Sequence, residues 1–256
     1  MEITYYAKSI KGKKSKENED SYIIPVRNEI MEKEPDLERQ GYLFAVCDGM
    51  GGHQAGQVAS SLCSKWLLHE YYQQDEIKDP VTWMIEELES LNSRLYQLSL
   101  ENEQYHGMGT TAVTLMISDD KAYIHNVGDS RCYKYHHGDL KQLTKDDSVV
   151  WDLYEKGMIA KDDIIKNNRK HVITQAIASE ASVDVRTYPV LNLRNDLIFL
   201  LCSDGLHDVM IDDQIKNILN DYSDLEKNAE KLINLALQNK SKDDITLILV
   251  SINTEK

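Results

Sequence analysis

The chain has 256 residues, 41% of them hydrophobic, which is enough for a substantial core and makes one globular domain over 1–256 the default reading. Asp and Glu outnumber Lys and Arg by 43 to 29, and the formal charge of -14 argues against a general nucleic-acid binder or a binder of anionic membranes. The stretch MEITYYAKSIKGKK lacks the apolar core of a signal peptide, and no later run approaches the ~20 apolar residues that span a bilayer, so the chain is expected to be cytoplasmic.

In chain order, the charged segment 29–40, EIMEKEPDLERQ, contains Pro35 and predicts a solvated loop or short surface turn. Residues 41–47 form a continuous apolar run, the pattern of a strand covered on both faces. Val58, Ala59, Leu62, Cys63, Trp66, Leu67 and Tyr71 then recur every three to four residues and predict a helix over about 55–72. A second helix follows, capped by Asp79 and entered through Pro80, with Met84, Leu88, Leu91, Leu95 and Leu98 as its buried stripe. From Thr110 the period changes. TTAVTLMIS, KAYIHNV and RCYKYHH predict an antiparallel meander with turns at Asp119-Asp120 and Gly138-Asp139. The polar, helix-biased stretch 145–170 departs from this core, with Gly157 as a helix stop, and DLIFLLCSD and DITLILVSI supply two further apolar strands. A sheet-rich α+β architecture with external helices follows. Cys47, Cys63, Cys132 and Cys202 are widely spaced without a CxxC pair and read as buried reduced thiols.

Acidic residues stand where these strands begin or end. Cys47-Asp48-Gly49 has a near twin in Cys202-Ser203-Asp204-Gly205, Asp243-Asp244 precede a strand, and Glu19-Asp20 precede Tyr22-Ile23-Ile24. One Asp-Gly is ordinarily a turn. Twins at the ends of buried strands, joined by two further acidic pairs, point to a cluster of carboxylates, and such a cluster suits the hard cations Mg²⁺ and Mn²⁺. Glycine after each Asp would let the chain turn sharply and expose a main-chain carbonyl. GMGGHQAG lacks the GK[ST] ending of a P-loop and does not fit GxGxxG, and HExxH is absent.

NED (18–20), FAVCDGMGGHQAG (44–56), GTTAV (109–113), VGDSR (127–131), LTKDDS (143–148), VITQAI (172–177), LCSDGLHDVM (201–210) and KDDITLILV (242–250) occur in the order seen in the PPM, or type 2C, metal-dependent serine/threonine protein phosphatases. The chain resembles the bacterial stand-alone branch of that family. The resemblance implies a four-layer α-β-β-α sandwich, two antiparallel sheets flanked by helices, with two Mn²⁺ or Mg²⁺ ions at one end. It implies that Asp48 bridges the ions, that Glu19 and the Gly49 carbonyl serve one ion, and that Asp204 and Asp243 serve the other. Asp20 would orient a water held by them, and Asp129, Asp204 and Asp208 match a weaker third-metal position. The stretch 145–170 would be the family's flap. The implied activity is hydrolysis of phosphoserine and phosphothreonine in proteins without a phosphoenzyme, reversing a bacterial Ser/Thr kinase, by a protein expected to be monomeric.

Three departures from the pattern matter. Many relatives place Arg three residues before the Asn of NED, where a guanidinium holds phosphate bidentately; here the position is Ser15, and Lys14 and Lys16 are the candidate substitutes. Met50 replaces the His that eukaryotic members often carry after the bridging Asp-Gly, leaving His53, or a water on the ions, to protonate the leaving group. Asp244 replaces a common Asn and adds a negative charge. The missing Arg motivates an alternative, a pseudophosphatase that binds a phosphoprotein or kinase without turnover; hydrolysis of small phosphorylated metabolites is a third reading.

Overall fold

The computed structural model describes residues 1–13, 15–31, 33–51, 55–220 and 224–253. Its strands are β1 (Glu2–Ile10), β2 (Asp20–Ile23), β3 (Tyr42–Met50), β4 (Gly109–Thr110), β5 (Ala112–Ser118), β6 (Lys121–Val127), β7 (Arg131–His136), β8 (Asp139–Gln142), β9 (Arg186–Thr187), β10 (Leu191–Asn192), β11 (Leu197–Cys202) and β12 (Ile245–Asn253). Its helices are α1 (Leu37–Gln40), α2 (Ala55–Gln73), α3 (Pro80–Glu101), α4 (Val149–Glu155), α5 (Lys161–Ile164), α6 (Asp204–His207), α7 (Asp212–Leu219) and α8 (Leu225–Gln238). One sheet runs β1-β12-β11-β7-β8 and the other β10-β6-β5-β3-β2, with β4 on β3 and β9 on β6; every pairing is antiparallel.

Alternate residues of the apolar strands face different layers, which is why these strands read as continuous runs rather than alternating ones. Phe44, Val46, Val113, Leu115 and Ile117 meet Phe199, Leu201, Ile248, Val250 and Ile252 between the sheets. On one outer face Leu43, Ala45 and Cys47 pack with Ala59, Cys63 and Leu67 of α2 and Met84, Leu88, Leu91 and Leu95 of α3. On the other, Leu200, Cys202, Leu247 and Leu249 pack with Ile215 of α7 and Leu232 and Ile233 of α8. These three apolar layers make the four-layer α-β-β-α sandwich that the resemblance implies. All four cysteines are buried free thiols.

The helix expected over 55–72 is α2, although its predicted stripe splits. Ala59, Cys63, Leu67 and Tyr71 are buried, while Val58, Leu62 and Trp66 lie at the rim, where the Arg94 guanidinium sits 4.2 Å above the Trp66 ring. Asp79 caps α3 by accepting from the Thr82 amide at 3.2 Å. Other boundaries differ from the expectation. Segment 29–40 contains α1, capped by Asp36. The β7–β8 turn is His137-Gly138, and both residues have positive φ. β1 carries no clear apolar period because its residues are mostly half-buried, and only its pairing with β12 identifies it. The strand expected to end at Asp48 continues to Met50, because β4 supplies partners for Gly49 and Met50. Among the described residues, no helix is long and apolar enough to cross a membrane.

Phe44 is fully buried between the sheets, so Phe44→Ala should lower the unfolding free energy by about 3–5 kcal/mol. Urea denaturation should show this as a lower midpoint with an unchanged slope; a loss below about 1 kcal/mol, ordinary for a surface site, would contradict the packing.

Candidate metal centre

Strand register brings the first carboxylates together. Asp20 stands opposite Asp48 across the β2–β3 pair, and the Gly49 amide donates to the Glu19 carbonyl at 3.1 Å. The second sheet delivers Asp204 just beyond β11 and Asp243 just before β12. Ser203 ties the sheets together: its hydroxyl donates to Asp20 Oδ2 at 2.8 Å and accepts from the Thr246 amide at 3.0 Å. Asp129 enters from the loop between β6 and β7.

The electrostatics show that these groups converge. Burial, then the charges of Asp20, Asp204, Asp129 and Asp243, hold the Asp48 carboxyl well above its ordinary range. Burial pushes Asp20 up to about 7 against the hydrogen bonds of Thr246 and Ser203, with Asp204 and Asp244 adding to the rise. Glu19 is raised by burial and by Asp244 and Asp243, and Asp243 by burial and Asp204. Asp129 is raised by burial and by Asp204, Asp146 and Asp208. A set of mutually repelling oxygen donors of this kind is stable in its ionised form when cations supply the missing positive charge, so the donor chemistry fits hard divalent ions.

The glycines serve close approach rather than the sharp turns expected from sequence. A Cβ on Gly49 would lie 2.3 Å from the Gly56 carbonyl oxygen and 2.4 Å from that of Glu19, and one on Gly56 would lie 2.6 Å from Glu19 Oε2. A Cβ on Gly205 would lie 1.9 Å from the Asp244 carbonyl oxygen, so glycine here lets α6 sit against the start of β12.

Asp244 has a specific task. Only 4% exposed, it accepts from the Gly12 amide at 2.6 Å and from the Glu19 amide at 2.8 Å, fixing the segment that presents Glu19. Asn offers one carbonyl oxygen and would not accept both bonds with separate oxygens.

On the outer side of the cluster, His171 Nδ1 lies 2.8 Å from Asp208 Oδ2 and 3.5 Å from Asp204 Oδ2. Hydrogen bonds that its ring donates to Asp204 and Asp208 raise His171 to about 10. Burial works to raise Asp208, but His171 and His207 hold it below the ordinary carboxylate range. Lys170 Nζ donates to the Asp208 carbonyl at 2.7 Å. These contacts come from the return arm of the flap-like excursion. Its ends are joined by a bridge between Ser148 and Ile173 and by the Val149 amide donating to Val172 at 3.0 Å, so the closed unit lies three residues further along the chain than the expected 145–170.

Two ion pairs brace the Asp129 loop, one buried on both sides and one with only its carboxylate buried. Arg131 grips Asp146 with Nε at 2.9 Å from Oδ1 and Nη2 at 2.6 Å from Oδ2, while Nη1 donates to the Tyr133 hydroxyl at 2.9 Å. Asp147 accepts from Arg186 Nε at 2.5 Å and from the Gly128 amide at 3.0 Å, next to Asp129. Sequence reasoning missed His171, Ser203 and these braces, because their partners lie far along the chain and no local spacing marks them. Lys16 is exposed, and its carbonyl accepts from Lys11 Nζ at 3.2 Å. Met50 is 36% exposed and has no acidic proton to donate. Lys14 and His53 lie outside the described residues.

This fold has known counterparts. The protein phosphatase 2C family model matches residues 8–152. Serine/threonine phosphatase stp of Listeria welshimeri is 34% identical over 82% of this chain and 84% of its own length. The structure of serine/threonine phosphatase Stp1 from Staphylococcus aureus superposes with a TM-score of 0.87 at 31% identity, covering 99% of this chain and 96% of that one. The catalytic domain of serine threonine protein phosphatase PstP, in complex with two manganese ions, gives a TM-score of 0.81 at 28% identity, with 98% and 99% covered. The chain belongs to the protein phosphatase 2C family.

The raised carboxyls, with His171 raised in the same direction, give the metal-free protein a definite pH response. A carboxyl such as Asp20, about 4 unfolded and about 7 folded, makes the folded state bind more protons, so stability falls as pH rises through that window. His125, lowered to about 4 by burial, acts oppositely below its unfolded value of about 6.5, so the comparison belongs above that pH. In chelator, the melting temperature should fall between pH 6.5 and 8, and Mn²⁺ should raise it more at pH 8. A metal-free melting temperature that rises over this interval would contradict the cluster.

Proposed function

We propose that this chain is a Mn²⁺- or Mg²⁺-dependent phosphatase for phosphoserine and phosphothreonine in proteins, opposing a Ser/Thr kinase. The observation that carries the proposal is the convergence of Asp20, Asp129, Asp204 and Asp243 on Asp48, from the ends of strands in two packed sheets. Asp48 would hold both ions, Glu19 and the Gly49 carbonyl one of them, and Asp204 and Asp243 the other. Bound ions would supply positive charge for the phosphoryl oxygens and lower the pKa of a water at the site.

The chain's own residues account for positioning. Ser203 fixes Oδ2 of Asp20 beside Asp48, which suits Asp20 to orient the attacking water toward phosphorus. Asp244 locks the backbone on either side of segment 13–18, and so controls how Glu19 enters the site. Arg131 is committed to Asp146 and Tyr133, so it does not replace the phosphate-gripping Arg that Ser15 displaces; Lys16 is the described candidate for a point-charge contact. Because Met50 has no acidic proton, the leaving alkoxide must be protonated by another group, with His53 or water as the donor.

Phosphate release from phosphothreonine peptides and from an aryl phosphate should require Mn²⁺ or Mg²⁺ and stop with chelator. Asp48→Asn and Asp204→Asn should each reduce kcat at least about 100-fold, close to 2.7 kcal/mol in activation free energy. A wild-type chain as inactive as these variants across metals and substrates would overturn the enzyme reading, and peptide binding without turnover would establish the pseudophosphatase. Turnover of the small ester with refusal of every phosphopeptide would establish a metabolite phosphatase.

A further inference from the structure

Helix α8 ends in a Schellman turn, and the sequence KSK follows it directly. The Lys240 amide donates to the Leu237 carbonyl at 3.1 Å and the Ser241 amide to that of Ala236 at 3.0 Å, while Lys240 holds a φ of +69°. Glycine or asparagine ordinarily takes this left-handed seat, so the turn itself gives no reason for lysine. The loop is also pinned from below. Ser241, 4% exposed, donates its hydroxyl to the Gly205 carbonyl at 2.8 Å, and Asn239 Nδ2 donates to the Val209 carbonyl at 2.7 Å. Lys240 and Lys242 thereby join Lys170, Asp204, Asp208 and Asp243 in lining a cavity of about 450 Å³. Asp208 already meets Lys170 and His171, and Asp204 and Asp243 are the proposed ligands of one inner ion. Lys240 and Lys242 are exposed and form no ion pair among the described residues, so their charge is left uncompensated once ions are bound.

We propose that Lys240 and Lys242 form a subsite for a carboxylate side chain flanking the phosphorylated residue, which makes acidic phosphopeptides the preferred substrates. The inference rests on the phosphatase reading above and specifies its substrate class. With a formal charge of -14, the chain as a whole repels acidic peptides, and a local pair of cations reverses that field where the substrate must dock. Two ammonium groups on flexible stems suit the carboxylate of Asp or Glu, which needs charge and hydrogen-bond donors rather than the fixed fork of a guanidinium. The pinned loop sets where these stems begin. Because Lys242 is bonded directly to Asp243, the side chain read here belongs to a residue close in sequence to the phosphorylated one.

The test measures kcat and KM of the full chain with MnCl₂ on a phosphothreonine peptide carrying Glu on both sides of the phosphoresidue, on the same peptide with Gln at those places, and on an aryl phosphate. The wild type should favour the Glu peptide over the Gln peptide at least about 10-fold in kcat/KM, chiefly through KM, whereas the overall charge of the chain alone would favour Gln. Raising NaCl to about 0.3 M should shrink that preference severalfold. In a Lys240→Asn, Lys242→Gln double variant, chosen because Asn tolerates the left-handed backbone, the preference should fall below about twofold. The Gln peptide and the aryl phosphate should keep kcat/KM within about twofold of wild type, which a damaged fold or metal centre would not allow. A wild type without the preference would overturn the inference while leaving the phosphatase reading standing, and so would a preference that survives in the double variant. Equal losses on all three substrates would also overturn it. A wild type that hydrolyses none of them would sink both this inference and the functional reading.

Discussion

Everything at this end of the molecule depends on forcing like charges together. Asp48 faces four other aspartates inside a packed fold, where desolvation and repulsion both disfavour its ionised form. A protein free to relax would separate these groups. Here the strands prevent it: Asp20 is fixed by register with β3, while Asp204 and Asp243 are fixed by two neighbouring strands of the opposite sheet. The inter-sheet core of Phe44, Phe199, Ile248 and their neighbours keeps the two edges facing each other. Packing therefore maintains a local concentration of negative charge that divalent cations can relieve.

The supporting groups divide between holding the cluster and joining it to the excursion over 148–173. Ser203 and Asp244 work by hydrogen bonds that cross from one sheet edge to the other. Asp146 and Asp147, adjacent in sequence, take separate arginines, Arg131 and Arg186, so the buried carboxylates that brace the Asp129 loop carry matched charge. Asp147 also joins the return arm of the excursion to the Asp129 loop, since its carbonyl accepts from the Thr174 amide at 2.7 Å and its own amide donates to the Gly128 carbonyl at 2.9 Å. The closure of the excursion and the placement of Asp129 thus share one hydrogen-bonded hub.

Much of this was legible because apolar pattern and acidic punctuation are local signals. Continuous runs marked β3, β11 and β12, three-to-four-residue spacing marked α2 and α3, and paired Asp-Gly steps marked where carboxylates leave the strands. Sequence could not show that β3 passes through Gly49, because its partner β4 lies about sixty residues on and is only two residues long. Gly49 and Gly205 were legible as special, but their reason was misjudged: both are required by neighbouring carbonyl oxygens, a property of packing rather than of turn chemistry. His171 carried no local mark at all. Its place beside Asp204 and Asp208 is created by the closure of the excursion, which brings residue 171 to a strand end more than thirty positions away.

The central claim is that the cluster around Asp48 binds two cations at once, and anomalous diffraction at the manganese edge tests it most directly. Crystals of the full chain grown with MnCl₂ should show two strong peaks flanking Asp48, with its carboxylate in contact with both, Glu19 on one and Asp204 and Asp243 on the other. A single peak, or none, at Asp48 would contradict the account.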